Sequence, residues 1–162
     1  LPVVFLFTRF TQKQMLKSEI QNRKAKFEYF IEETIEAGIA LKGTEIKSLR
    51  KSSCDLSDSF AIIKKGEIYL LNAFIAKYDE GNIFNHDTRR TRKLLLHKNE
   101  ITKLFNKVSR SGYSLIPLDI HFKNGKAKVT IGLCRGKKLY DKRETIKERD
   151  LKRENARLNN YR

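Results

Sequence analysis

Asn124-Gly125 stands between two runs in which apolar and polar residues alternate, 115–122 and 126–134. An Asn-Gly pair accepts the positive φ angles of a two-residue hairpin turn and is the strongest short hairpin signal in the chain. It commits this stretch to an antiparallel ribbon before any other residue is considered. On the return strand, KAKVTIGLC, alternation sends Ala127, Val129, Ile131 and Leu133 inward and Lys126, Lys128 and Thr130 to the other face. On the outgoing strand, LIPLDIHF, the same rule puts Ile116, Leu118, Ile120 and Phe122 on one face. A lone ribbon is marginal in water, so the remaining chain must supply more strands.

It does. FEYFIEETIEAGIAL (27–41) is rich in aromatic and β-branched residues and reads as a strand, with Gly38 marking a bend or bulge. DSFAIIKKGEIYLLNAFIAKY (58–78) reads as a second hairpin turning at Lys64-Lys65-Gly66, followed by a loop over 78–88, and RKLLLH (92–97) as a further strand. Thr44 can cap a short helix, TEIKSLRKS, with Glu45 at its positive end and Ile46 and Leu49 facing inward. A second helix starts near Asn99, carries Ile101, Leu104, Phe105 and Val108 at i, i+3, i+4, i+7, and stops before Gly112. About six strands and two or three short helices predict a mainly β fold, a small antiparallel barrel with helices at its rim. The barrel is expected over 23–135, after an N-terminal extension or arm over 1–22. Residues 16–26 read as a mobile basic arm, and residues 1–14 as a misread upstream segment or an optional extension. A basic tail follows over 136–162.

The 162 residues carry 35 Lys and Arg against 19 Asp and Glu, a formal charge of +16. Charge of this size is self-repulsive, and a polyanion such as nucleic acid relieves it. Three groups of cations can share a face: Arg89, Arg90, Arg92 and Lys93, which lean against Leu94–Leu96; Lys126 with Lys128; and Arg135 through Lys138. The tail from Arg135 onward holds eleven Lys and Arg against five Asp and Glu. Its leucines are too sparse for a strong apolar stripe. It is expected to be disordered alone and to become helical on a polyanion.

Other classes find little support. No apolar run reaches the roughly 18–20 residues of a membrane span, and LPVVFLF at the start makes a poor signal peptide. Cys54 and Cys134 lack the spacing of a zinc site and read as reduced thiols. His86-Asp87 is the one pair that suggests acid–base chemistry, but no catalytic motif accompanies it. His121 reads as a half-buried structural residue. No catalytic residue, metal ligand or cofactor is therefore expected. The competing non-enzymatic class is a structural, ribosomal-type RNA-binding protein with a basic extension.

Four stretches in order, YFIEETIEAGIALKGTEIKSLR (29–50), DLSDSFAIIKKGEIYLLNAFI (55–75), FNHDTRRTRKLLLHKNEI (84–101) and KAKVTIGLCRGKKLYDKRETIKERD (126–150), resemble the SsrA-binding protein (SmpB) family. The resemblance implies an oligonucleotide-binding (OB) type barrel that binds the tRNA-like part of transfer-messenger RNA. It implies delivery of that RNA, with elongation factor Tu and GTP, to stalled cytoplasmic ribosomes, and no catalysis and no membrane partner. The tail would lie in the small subunit's decoding region and empty mRNA channel. By motif, Glu36 organises the RNA-binding surface, Leu95 supports it, and His97, Lys128 and Gly136 match RNA-linked positions. Lys137, Lys138, Tyr140, Asp141, Lys142 and Arg143 match the segment entering the decoding region. Phe27 stands where the family usually has a His expected to stack on a base. Phe stacks but donates no hydrogen bond.

Overall fold

The computed structural model describes residues 20–79 and 85–160. The expectations for residues 1–19, and for the middle of the 78–88 loop, lie outside the described residues. In chain order the elements are β1 (Ile20–Gln21), α1 (Arg23–Glu28), β2 (Tyr29–Ile39), α2 (Gly43–Arg50), β3 (Cys54–Asp55), β4 (Phe60–Lys64) and β5 (Glu67–Leu71). Then come β6 (Phe74–Ile75), β7 (Arg92–Leu95), α3 (Lys98–Ser111), β8 (Ser114–Lys123), β9 (Lys126–Gly136) and α4 (Leu139–Asn160).

Six strands close into a ring, β8-β4-β5-β7-β2-β9, because β9 returns to pair with β8. Every pairing is antiparallel. Closure removes the exposed strand edges that an open sheet would present. This is the mainly β class and strand number expected from the sequence. Both predicted hairpin turns are present: Lys65 and Gly66 have φ of 53° and 74°, and Asn124 and Gly125 have 53° and 75°. Each turn sets a register, so Lys64 opposes Glu67 and Lys123 opposes Lys126.

The interior is filled by one apolar cluster from all six ring strands. Ile68, Leu70, Val129 and Ile131 are fully buried, and Leu94 is nearly so. Helices close the rim: Leu49 of α2 and Ile101 and Leu104 of α3 join the same cluster. α2 begins at Gly43 rather than after Thr44, and in each of these helices a first-turn glutamate caps the N-terminus. The Lys42 N–H donates to Glu45 Oε1 at 3.2 Å and the His97 N–H to Glu100 Oε2 at 3.0 Å. Of the predicted helix face, Phe105 instead stays half exposed.

Two bulges revise the strand reading. Ile31 opposes Cys134 and Glu33 opposes Leu133, leaving Glu32 extra; Pro117 opposes Ile131 and Asp119 opposes Thr130, leaving Leu118 extra. An extra residue flips the side-chain parity beyond it. Leu115 and Ile120 therefore both enter the main core, while Ile116 joins a second small cluster with Ala25 and Cys134, flanked by Tyr29, Ile31 and Leu118. The four residues expected on one face of β8 do not share it. Gly38 is not the bulge.

The basic arm expected over 16–26 is structured from Ile20 onward. Ile20 pairs with Ile120, and α1 seats Ala25 on the second cluster. Asn22 ties this corner together. Its Oδ1 accepts from the Ala25 N–H at 3.1 Å, and its Nδ2 donates to Leu56 O at 3.1 Å and Pro117 O at 2.9 Å. Phe27 thus lies in a helix and not in the strand where alternation had put it.

Candidate nucleic-acid interface

The 124–125 turn carries its register outward across the ring. His121 of β8 opposes Lys128 of β9, Lys128 opposes Gly38 of β2, and Gly38 opposes Leu95 of β7. One step along, Asp119, Thr130 and Glu36 form a parallel row. Gly38 contributes no side chain, and a Cβ there would sit 3.1 Å from the Leu95 Cβ. The missing side chain leaves room for Leu95, which is 54% exposed for an apolar residue fixed on a core strand. Around the gap is a depression of about 480 Å³ lined by Glu36, Gly38, Lys93, Leu95, His97 and Lys128. His97, and Lys126 two residues before Lys128 on β9, are exposed. Cations for phosphates, an apolar shelf for a base or ribose, and a carboxylate acceptor for base N–H groups lie on adjacent rigid strands.

Glu36 is held from β8. Its Oε2 lies 3.1 Å from His121 Nε2, and its Oε1 accepts from Lys123 Nζ at 3.5 Å. Burial alone would push the Glu36 carboxyl up; the bond to His121 and the charge of Lys123 outweigh that and hold it below the ordinary carboxylate range. His121 Nδ1 in turn lies 2.8 Å from Asp119 Oδ1, which also accepts from the Thr130 hydroxyl at 2.9 Å.

The expected cationic cluster over 89–93 divides. Lys93 is exposed and pairs with Glu67 at 2.9 Å. Arg89 is exposed, donates to Asn72 Oδ1 at 2.9 Å and stacks on Phe74. Arg90 turns back to Glu45, its Nη2 2.6 Å from Oε1. Arg92 is a correction, because it is fully buried and cannot belong to the outer face. Its guanidinium donates to Glu45 Oε2, to Ala73 O at 2.7 Å and to Thr88 O at 3.2 Å. Burial would push the Glu45 carboxyl up, but bonds from Arg92 and Arg90 keep it below its ordinary range. Glu45, read from sequence as a helix-end charge, is the buried anion that locks α2 to β7. His86, next to this lock, is 1% exposed, donates from Nε2 to Ile75 O at 3.0 Å and lies 2.8 Å from Thr44 Oγ1. It braces the loop against α2.

At the far end of β9, Gly136 opposes Tyr29 and the chain leaves the ring. The Lys137 N–H donates to Glu28 O at 2.9 Å, its Nζ donates to Lys26 O at 3.2 Å and Thr145 Oγ1 at 2.8 Å, and it lies 4.9 Å from the Phe30 ring. The Lys138 N–H donates to Asp141 Oδ2 at 3.2 Å and starts α4. Tyr140 and Arg143 are exposed, Lys142 partly so, and no residue of α4 is buried. Phe27 is half-buried beside a second depression, of about 440 Å³, shared with Lys26, Leu118, Thr130, Thr145 and Arg149. One group of site residues lies on the outer ring face and one at the root of the helix, and the two adjoin at Asp119 and Thr130, which line the Phe27 depression and share the row of Glu36. Sequence reasoning missed Glu45, and it missed the His121–Glu36 contact. The second was recoverable, since the 124–125 turn pairs His121 with Lys128 and the next row brings Glu36 alongside.

Among the described residues no group of side chains is arranged to hold a metal ion. No described helix is long and apolar enough to cross a membrane. Burial pushes the Cys54 thiol up to about 12 and the Cys134 thiol up to about 11, so neither is a ready nucleophile.

A closed antiparallel ring of six strands with cations on its outer face and a basic C-terminal helix defines the class: a small, mainly β fold. The comparisons give the family within it. The SmpB protein family model matches residues 19–161. The SsrA-binding protein of Staphylococcus epidermidis is 59% identical over 134 residues, 83% of this chain and 86% of the relative. That of Geobacter metallireducens is 58% identical over 135 residues, 83% of this chain and 88% of the relative. A solved chain described as "tmRNA-SmpB: a journey to the center of the bacterial ribosome" matches with a TM-score of 0.65 and 52% identity, over 76% of this chain and 87% of that one. The chain belongs to the SmpB, or SsrA-binding protein, family.

Proposed function

We propose that this chain is a non-catalytic RNA-binding adaptor of trans-translation. Its outer face on β7, β2 and β9 grips the tRNA-like part of transfer-messenger RNA. The complex travels to stalled ribosomes in the cytoplasm with elongation factor Tu and GTP. There the C-terminal helix enters the small subunit's decoding region and the empty mRNA channel, led by Lys137, Lys138, Tyr140, Asp141, Lys142 and Arg143. Phe27, at the helix root, supplies a ring that stacks on a base. The observation that carries the reading is the row Lys128, Gly38, Leu95 with Glu36 beside it. A cation, an opening and an exposed leucine are held on strands that cannot move apart. Membership in a family whose relatives are named for binding SsrA RNA supports the choice of RNA.

The test is to isolate the protein from its own cells and sequence the RNA that comes with it. The reading expects one structured RNA with a tRNA-like end, in near-stoichiometric amount. Ribosomal RNA alone, from every small or large subunit, would replace it with a structural ribosomal protein.

A further inference from the structure

The outer face holds a feature that cation-for-phosphate binding does not explain. Glu36 and Asp119 are carboxylates within a field of lysines, on the face that also carries exposed Leu95. Anions at such a place repel RNA unless something neutralises them.

The neutralising group is on the same strands. His121 lies between the two carboxylates, Nδ1 2.8 Å from Asp119 Oδ1 and Nε2 3.1 Å from Glu36 Oε2. An ionised carboxylate only accepts hydrogen bonds, and a neutral imidazole has a single N–H. A neutral His121 can therefore satisfy one of these contacts and must oppose a lone pair to the other. The imidazolium, with two N–H groups, satisfies both. The other charged groups nearby are Lys128, directly opposite on β9, Lys123 on its own strand, 3.5 Å from Glu36 Oε1, and Arg23 and Lys26 of α1 with Arg149 of α4, which share a depression with Asp119. Thr130 of β9 donates to Asp119 and fixes the far carboxylate. The imidazole is 24% exposed, so protons reach it without unfolding.

We infer that His121 is a positioning residue and proton-linked element of the RNA-facing surface, clamping Glu36 and cancelling the two carboxylates when it is protonated. The protonated ring then favours RNA binding, and the grip is tighter at low pH than at high pH. The inference rests on the reading of this face as the RNA surface. The tRNA-like fragment of transfer-messenger RNA is the probe.

Binding is measured by fluorescence anisotropy at fixed ionic strength from pH 5.5 to 8.0, for wild type, His121→Gln and His121→Ala. The chain holds two further imidazoles, His86 and His97, so His121→Gln, which keeps one hydrogen bond but never charges, is the reference. Wild type should gain roughly fivefold more affinity than His121→Gln on going to pH 5.5, an exposed ion-pair-sized effect. His121→Ala should bind several-fold more weakly than wild type at low pH. A wild-type profile that superimposes on that of His121→Gln overturns the inference while leaving RNA binding in place. A wild type that binds the fragment at no pH overturns the functional reading and this inference with it. A measurement without substitution guards against misfolded variants: the His121 ring nitrogen resonances near pH 7 should move toward imidazolium when the RNA is added. Unmoved resonances in a saturated complex also overturn it.

Discussion

Leu94 in β7 is 1% exposed, whereas Leu139, Leu151 and Leu158 in α4 are 68, 58 and 62% exposed. The same residue type serves two opposite purposes in one chain. In the ring, strands that close on themselves bury it, and the charged groups the ring cannot expel are matched inside, as Glu45 is by Arg90 and Arg92. In the helix nothing is matched by burial. Its start is tied down by the Lys137 bonds to Lys26 O and Thr145 Oγ1, and beyond Thr145 no described side chain of the helix is hydrogen-bonded or ion-paired to the ring. Even i,i+4 charge pairs would add only about 0.2–0.5 kcal/mol each, and isolated helices are marginal in water. The ring therefore owns its stability, while the helix depends on whatever surface it meets. Under the proposed function, the body would hold one RNA and the tail would meet another.

The comparison can be broken at several points. Truncation after Gly136 has the largest expected effect on function: tagging of stalled peptides is abolished, while affinity for the tRNA-like fragment stays within about threefold, since the outer-face cations remain. Loss of RNA binding in the truncated protein would mean the two regions are not separable. Next is the buried lock. Glu45→Ala leaves Arg92 an uncompensated buried charge and should destabilise the ring by about 3–5 kcal/mol in urea unfolding. The Glu45 carboxyl lies below its ordinary range in the folded ring. Its stabilising share is therefore complete above the unfolded-state value and lost as pH falls through the folded one. Melting temperature should fall with acidification below about pH 4, and less steeply in Glu45→Gln.

Gly38→Ala is a smaller break. The new Cβ meets Leu95 at 3.1 Å on a fixed strand. The ring should lose about 1–2 kcal/mol, and the RNA surface should weaken with it. Equal RNA affinity in that variant would separate Leu95 from the interface. Lys128→Ala is smaller again. Its stability should be unchanged within about 0.5 kcal/mol, but the slope of log affinity against log salt should drop by about one phosphate contact. An unaltered slope takes Lys128 out of the contact set.

How much of this was legible in the sequence depended on whether a local rule decided the matter. The two turns at 65–66 and 124–125 were, because the dipeptides dictate their own φ values and the turns then set the register. Val129, Ile131 and Leu133 followed by alternation. The rule failed where one residue was added without a local signal. Neither Glu32 nor Leu118 announces a bulge, and each flips the parity that follows. It failed again at 23–28, where Ala25 is held by a tertiary cluster and Asn22 by carbonyls of Leu56 and Pro117, far along the chain. The candidate site showed the same division. Leu95, read among the leucines of a core strand, is half exposed, while Lys126 and Lys128 were placed outward correctly. Arg92 was not, because the anion that draws it inside, Glu45, lies 47 residues away.

The contrast between the regions is tested most directly by amide hydrogen exchange of the whole protein, free and seated on a stalled ribosome. In the free protein the account predicts slow exchange through β5, β7 and β9 and near-unprotected exchange over most of 139–160, with protection of 139–160 appearing only on the ribosome. Amides of 139–160 as slow as those of the ring in the free protein, or equally fast in both states, would contradict it.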